Sequence, residues 1–300
     1  MIPDFVIIGA PRAGTTSLYH YLSQHPQICM SRIKETNFFA YLASQAAPGF
    51  EIGPSRAWVA TSFQEYHELF EAAKSSSVTG EASPFYLYTP GTPRQIKAHV
   101  PDVKLIVILR EPVERAYSGY LKNLREGNET RPFEEAINQE IYRPIHVLES
   151  KNYYVRTGLY FHHITRYLEH FDRSQMKITI YEELENAPQG FLRDVFDFIN
   201  VDPEFVPDLS VRFNQAIPPF IKDTSQRRRI KHLTRRIRGW LPQKISYFLL
   251  NLKYKIGKKV ATYPALVRET RLVLRDQYIH DVANLEKLIN RDLSHWLTVE

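Results

Sequence analysis

Three stretches of the chain are apolar without the alternation of a half-exposed strand: Phe5 to Ile8, Lys104 to Leu109 (KLIVIL) and Met176 to Tyr181 (MKITIY). Such runs suit strands buried on both faces of a parallel sheet. Gln27 to Met30 predicts a shorter strand, and Gly80 to Pro84 reads as a strand-end loop. Between these runs apolar residues recur at helical spacing. They predict helices opening at Thr15, near Phe63 to Ala73, around Pro93 to His99, from Pro112, through about Leu148, within Gly158 to Phe171, over Pro188 to Ile199 and from Pro264 to Trp296. Strands alternating with helices define an α/β fold, here one domain over 1–300 with a central, mainly parallel sheet flanked by helices.

The first strand runs into FVIIGAPRAGTTS, in which Gly9 and Gly14 bracket four residues and Thr15, Thr16 and Ser17 open a helix. Amide groups at a helix start lack intrahelical partners and lie at the positive end of the helix dipole, so Ala13 to Ser17 form a site for a phosphate or sulfate. The spacing is that of a phosphate loop, but Thr15 stands where the nucleotide hydrolases carry lysine, and Arg12 is the loop's one cation. A glycine-bearing turn of an ordinary α/β protein is the plainer reading.

Ligands of open α/β sheets gather at the carboxyl ends of strands, which places Arg110, after KLIVIL, near the first loop. Pro112 starts the next helix and puts Ser118 about two turns along it, so Arg110 and Ser118 suit a second phosphate. An ion pair of Arg110 with Glu111 or Glu114 is the alternative. In KETNFF, Glu35 lies between Lys34 and paired aromatics, which would partly desolvate it and suit it to general-base work; a surface Glu–Lys pair is the rival. His162 and His163 suggest acceptor contacts or ordinary packing, and Cys29 reads as a small core residue rather than a nucleophile.

On these motifs the chain resembles sulfotransferases that use 3′-phosphoadenosine 5′-phosphosulfate (PAPS), of the type that includes heparan sulfate sulfotransferases and bacterial homologues. The resemblance implies a phosphate-loop-like sulfotransferase fold, a 5′-phosphosulfate held by the loop from Gly9 to Ser17, a 3′-phosphate held by Arg110 and Ser118, and Glu35 as the catalytic base. It implies no metal. Glu182-Glu183-Leu184 resembles the family's strand-end signature. The chain departs from that pattern at Arg12, where lysine is common, and at Ala82, where a lysine follows the glutamate matching Glu81. The late basic loop is reduced to Lys259, the remaining candidate donor-binding residue.

With 43% hydrophobic residues, 300 residues supply a proper core, and a single cysteine excludes an internal disulfide and suggests a reducing compartment. No room for a signal peptide precedes the first strand, so a cytoplasmic protein is expected. The net charge of +6 is unevenly placed: residues 227–259 hold twelve Lys or Arg and no Asp or Glu, which leaves −6 for the remainder. This stretch predicts a basic helical excursion at about 222–262, either a peripheral contact with an anionic membrane or a cover over the site. Nucleic acid is the weaker reading, because no recognised module accompanies the charge.

The expected reaction is sulfuryl transfer from PAPS to an acceptor hydroxyl of a glycan, lipid or other small molecule, or less readily to an amine, with adenosine 3′,5′-bisphosphate as product. A phosphate-loop small-molecule kinase and a non-enzymatic membrane-surface nucleotide-binding adaptor are the rivals.

Overall fold

The computed structural model describes residues 2–46, 60–74, 77–142, 153–210 and 265–299. Lys259 and the basic stretch at 227–259 lie outside them.

Five strands form one sheet in the order β2-β3-β1-β4-β5: β1 (Phe5–Gly9), β2 (Ile28–Met30), β3 (Val78–Ala82), β4 (Lys104–Leu109) and β5 (Met176–Ile180). Every neighbouring pair is parallel. The central strand β1 is buried at all five positions, which is why its sequence shows no polar alternation. Around the sheet lie α1 (Thr15–Leu22), α2 (Phe38–Ala46), α3 (Phe63–Glu68), α4 (Thr92–His99), α5 (Pro112–Glu126), α6 (Phe133–Tyr142), α7 (Tyr160–Leu168), α8 (Tyr181–Asn186), α9 (Pro188–Phe198) and a long helix near the C-terminus, α10 (Arg268–Ile289). The chain passes from β1 outward to β2, back through β3, and across to β4 and β5. The order therefore reverses beside β1, where an open sheet leaves a crevice at its carboxyl edge.

Several elements differ from the sequence expectation, each for a local reason. Gly80 and Glu81 belong to β3 rather than to a loop. A Cβ at Gly80 would stand 2.1 Å from the Phe5 ring, so glycine is the residue that lets β3 close against β1. The helix expected over Phe63 to Ala73 ends at Glu68, after which tighter turns carry the chain, such as Ala73 N–H donating to the Phe70 carbonyl at 2.9 Å. Tyr181 begins α8 instead of ending β5. Before α7, the turn at Arg156–Gly158 packs so closely on α10 that a Cβ at Gly158 would lie 2.9 Å from the Tyr278 ring.

Candidate functional site

The loop after β1 is held at both ends. Ala10 N–H donates to the Ile108 carbonyl at 2.7 Å, and Ala13, buried, donates to Ala10 O at 3.3 Å. Arg12 takes a left-handed backbone (φ 72°), and Gly14, with φ 87°, is the N-cap of α1. A Cβ at Gly14 would meet the Tyr181 ring at 2.9 Å, so the position favours glycine on both conformational and steric grounds. Thr15 is buried, whereas Thr16 and Ser17 are half-buried at the same helix start.

Three of the expected residues converge beside this loop. Arg12 Nε donates to Ser118 Oγ at 3.1 Å, and Arg110 Nη1 donates to the Arg12 carbonyl at 3.4 Å. The Arg110 guanidinium lies over the Tyr181 ring at 5.0 Å, and the buried Tyr160 hydroxyl donates to the Arg110 carbonyl at 2.8 Å. Two guanidiniums and a hydroxyl thus meet the amide-rich start of α1 at one edge of the sheet, an arrangement that suits a ligand with more than one anionic group. Of the two ion pairs considered for Arg110, the one with Glu114 is present at 3.8 Å. Glu111 instead caps α5, accepting from Val113 N–H at 2.9 Å and Glu114 N–H at 2.6 Å. Burial pushes its carboxyl up to about 7.

Glu35 sits in the loop after β2, fixed by its own N–H to the Ala82 carbonyl at 2.9 Å. Its backbone is left-handed (φ 64°), as is that of Asn37 (φ 53°), whose side chain donates to Glu35 O at 3.1 Å. A glutamate in that region is uncommon and costs on the order of 1 kcal/mol, a strain that points to a positional demand. The expected desolvation by aromatics is not what the structure shows. Phe38 and Phe39 turn into the core against Tyr66, leaving the Glu35 side chain 44% exposed with Lys34 Nζ at 2.9 Å.

The neighbouring carboxylate, Glu81, is the opposite case. Fully buried, it accepts from the hydroxyls of Thr36 (2.5 Å), Tyr66 (2.9 Å), Tyr86 (3.0 Å) and Ser83 (3.0 Å). Burial raises its pKa, and the four hydroxyls oppose that rise. The cluster anchors Thr36, the residue after Glu35. Nothing in the local sequence marks it, because its donors come from three separate segments.

His163 is also an internal group. Arg166 Nη2 lies 2.9 Å from His163 Nδ1, so that nitrogen accepts and the ring proton sits on Nε2, which donates to Arg156 O at 2.8 Å. Burial lowers its pKa to about 3. His162 lies at the start of α7, its N–H held by Asp281 Oδ1 at 3.1 Å, with Phe161 N–H on Oδ2 at 2.9 Å. Cys29 is half-buried on β2, and burial raises its thiol pKa, which disfavours a thiolate nucleophile. Among the described residues no group of three or more His, Cys, Asp or Glu is arranged to hold a metal ion, and no helix is long and apolar enough to cross a membrane.

The fold and this edge define an α/β protein with a phosphate-loop-like turn between its first strand and helix. The family model for the sulfotransferase domain matches residues 2–230, and the chain belongs to that family. Over its full length it is similar to a solved sulfotransferase from Alicyclobacillus acidocaldarius, with 31% identity, a TM-score of 0.72, and coverage of 99% of this chain and 100% of that one. Membrane-associated sulfotransferase kil1 of Dictyostelium discoideum is 34% identical over 50% of this chain and 29% of its own length. Heparan sulfate glucosamine 3-O-sulfotransferase 3B1 of Mus musculus is 29% identical over 72% of this chain and 50% of its own. The chain therefore matches half or less of the length of these two relatives.

Proposed function

We propose that this domain transfers a sulfuryl group from PAPS to an acceptor hydroxyl. The observation that carries the reading is the convergence of Arg12, Ser118 and Arg110 at the start of α1. Those residues fit a nucleotide phosphorylated at two positions. Arg12 and the amides from Ala13 to Ser17 would hold the 5′-phosphosulfate and meet charge developing on the leaving phosphate oxygen, while Arg110 and Ser118 would hold the 3′-phosphate. Lys259 is a further proposed donor contact. Glu35, exposed enough to meet an acceptor, would take the hydroxyl proton as the oxygen attacks sulfur. Relatives named for heparan sulfate glucosamine support a glycan-type acceptor.

Thermal stabilisation tests this directly. Adenosine 3′,5′-bisphosphate should raise the melting temperature, and ATP with magnesium should do so far less; the reverse order would favour the kinase reading. A second part of the proposal places the basic stretch at 227–259 against an anionic membrane, with the domain at the cytoplasmic periphery. Vesicle co-sedimentation that did not depend on anionic lipid and decline with salt would remove that part.

A further inference from the structure

The N-cap and first turn of α5 carry two carboxylates, Glu111 and Glu114, close to Arg110. A carboxylate so near is a competitor for the guanidinium that a phosphate would need, because the planar fork of arginine pairs with either group in the same bidentate fashion. In the structure that competition is reduced to a long ion pair without a hydrogen bond. Glu114 Oε1 is hydrogen-bonded to Nη2 of Arg271, in the first turn of α10, which leaves Glu114 Oε2 at 3.8 Å from Arg110 Nη2, beyond hydrogen-bond reach. Arg271 Nη1 faces Glu111 Oε2 at 3.9 Å, so one guanidinium offsets both carboxylates of that turn.

Arg271 is held where it stands by its surroundings. The preceding Thr270 hydroxyl donates to Glu134 Oε1 on α6 at 3.0 Å. Leu274 and Tyr278, on the same helix, are fully buried, and the Tyr278 hydroxyl donates to the Val155 carbonyl at 3.0 Å. The guanidinium is thus presented to α5 by a packed helix 157 residues along the chain from Glu114.

We propose that Arg271 is a positioning residue for the donor site, holding the Glu114 carboxylate away from Arg110 so that the Arg110 guanidinium is available to a 3′-phosphate. The proposal rests on the reading of Arg110 given above. Without Arg271, Arg110 would be the nearest cation to Glu114 among the described residues, and an ion pair between them would both occupy the guanidinium and leave an unbalanced negative charge beside an incoming dianion.

Calorimetry on the full chain tests the assignment with two probes, adenosine 3′,5′-bisphosphate and adenosine 5′-monophosphate, which lacks the 3′-phosphate. Arg271→Ala should weaken bisphosphate binding by about tenfold and leave the monophosphate nearly unchanged, while Arg271→Lys should recover part of the loss. Adding Glu114→Gln to Arg271→Ala removes the competitor and should restore bisphosphate affinity to within about twofold of the parent. A merely structural contribution of Arg271 to the docking of α10 would not be rescued in this way. Glu114→Gln alone, which keeps the helix intact, should bind the bisphosphate at least as tightly as the parent. The proposal is overturned by unchanged affinity in Arg271→Ala, by a loss that Glu114→Gln does not relieve, or by weaker binding in Glu114→Gln alone. A parent that binds neither probe better than background would instead overturn the donor-site reading itself.

Discussion

Arg12 Nε donates to Ser118 Oγ across 3.1 Å, joining the loop after β1 to the second turn of α5. The bond presets the loop cation with respect to the strand-end arginine, whose Nη1 reaches the Arg12 carbonyl. Charged hydrogen bonds to a phosphate contribute roughly 1.5–3 kcal/mol, so Arg12→Ala and Arg110→Ala should each weaken adenosine 3′,5′-bisphosphate binding by about ten- to a hundredfold. Ser118→Ala removes a neutral partner and should cost about three- to tenfold. Calorimetry checks all three. Parental affinity in Arg110→Ala would dismiss the 3′-phosphate assignment, and that variant's affinity for a nucleotide without a 3′-phosphate should hardly change.

Glu35→Gln separates proton transfer from donor binding. Glutamine keeps the size and one acceptor oxygen but takes no proton at neutral pH. Turnover with isotopically labelled PAPS and an acceptor found by screening extracts should fall by about a hundred- to ten-thousandfold, with bisphosphate affinity nearly intact. Near-parental turnover would remove Glu35 as the base. Loss of nucleotide binding would mean instead that the strained loop at Glu35 supports the donor site.

Glu81 should respond in stability. In Glu81→Ala the hydroxyls of Thr36, Tyr66, Ser83 and Tyr86 lose a shared acceptor inside the core, at about 1–3 kcal/mol for each group left unsatisfied. Denaturant unfolding should show a loss of at least about 3 kcal/mol. A loss below about 1 kcal/mol would show that the four hydroxyls find other partners.

The contrast between these two glutamates shows what can be read from the chain before folding. β1, β4 and β5 follow from apolar runs, and Arg12 and Arg110 follow from their places after two of them, because burial on both faces and position at a strand end are local properties. β3 reads VTGEA and does not look like a core strand. It becomes one only through Phe5, which needs Gly80 to lack a side chain, and through hydroxyls at positions 36, 66, 83 and 86 that donate hydrogen bonds to the Glu81 carboxylate. Glu35 is identifiable by its neighbours in KETNFF, but its exposure is decided by the turn of Phe38 and Phe39 toward Tyr66. Arg271 carries no local signal, since its partners Glu111 and Glu114 lie on a helix far earlier in the chain.

His163 supplies a test in pH. Its folded pKa is depressed to about 3, first by burial and then by the Arg166 charge, with His162 and Arg115 adding to the effect and the hydrogen bond to Arg156 O opposing it. An unfolded histidine titrates near 6.5, so between about 3 and 6.5 the unfolded chain binds the extra proton. A depressed folded pKa contributes stability that is present above about 6.5 and is lost as pH falls. At roughly 1.4 kcal/mol per pH unit, lowering the pH from 6.5 to 5 should remove about 2 kcal/mol through this one residue. His163→Asn keeps an acceptor for Arg166 at the Nδ1 position without a titrating ring. Denaturant unfolding of parent and variant at several pH values isolates the difference from every other group, and the parent should lose about 2 kcal/mol more than the variant over that interval. Parallel pH profiles would mean that the ring takes up its proton in the folded state, which requires Arg166 to leave Nδ1.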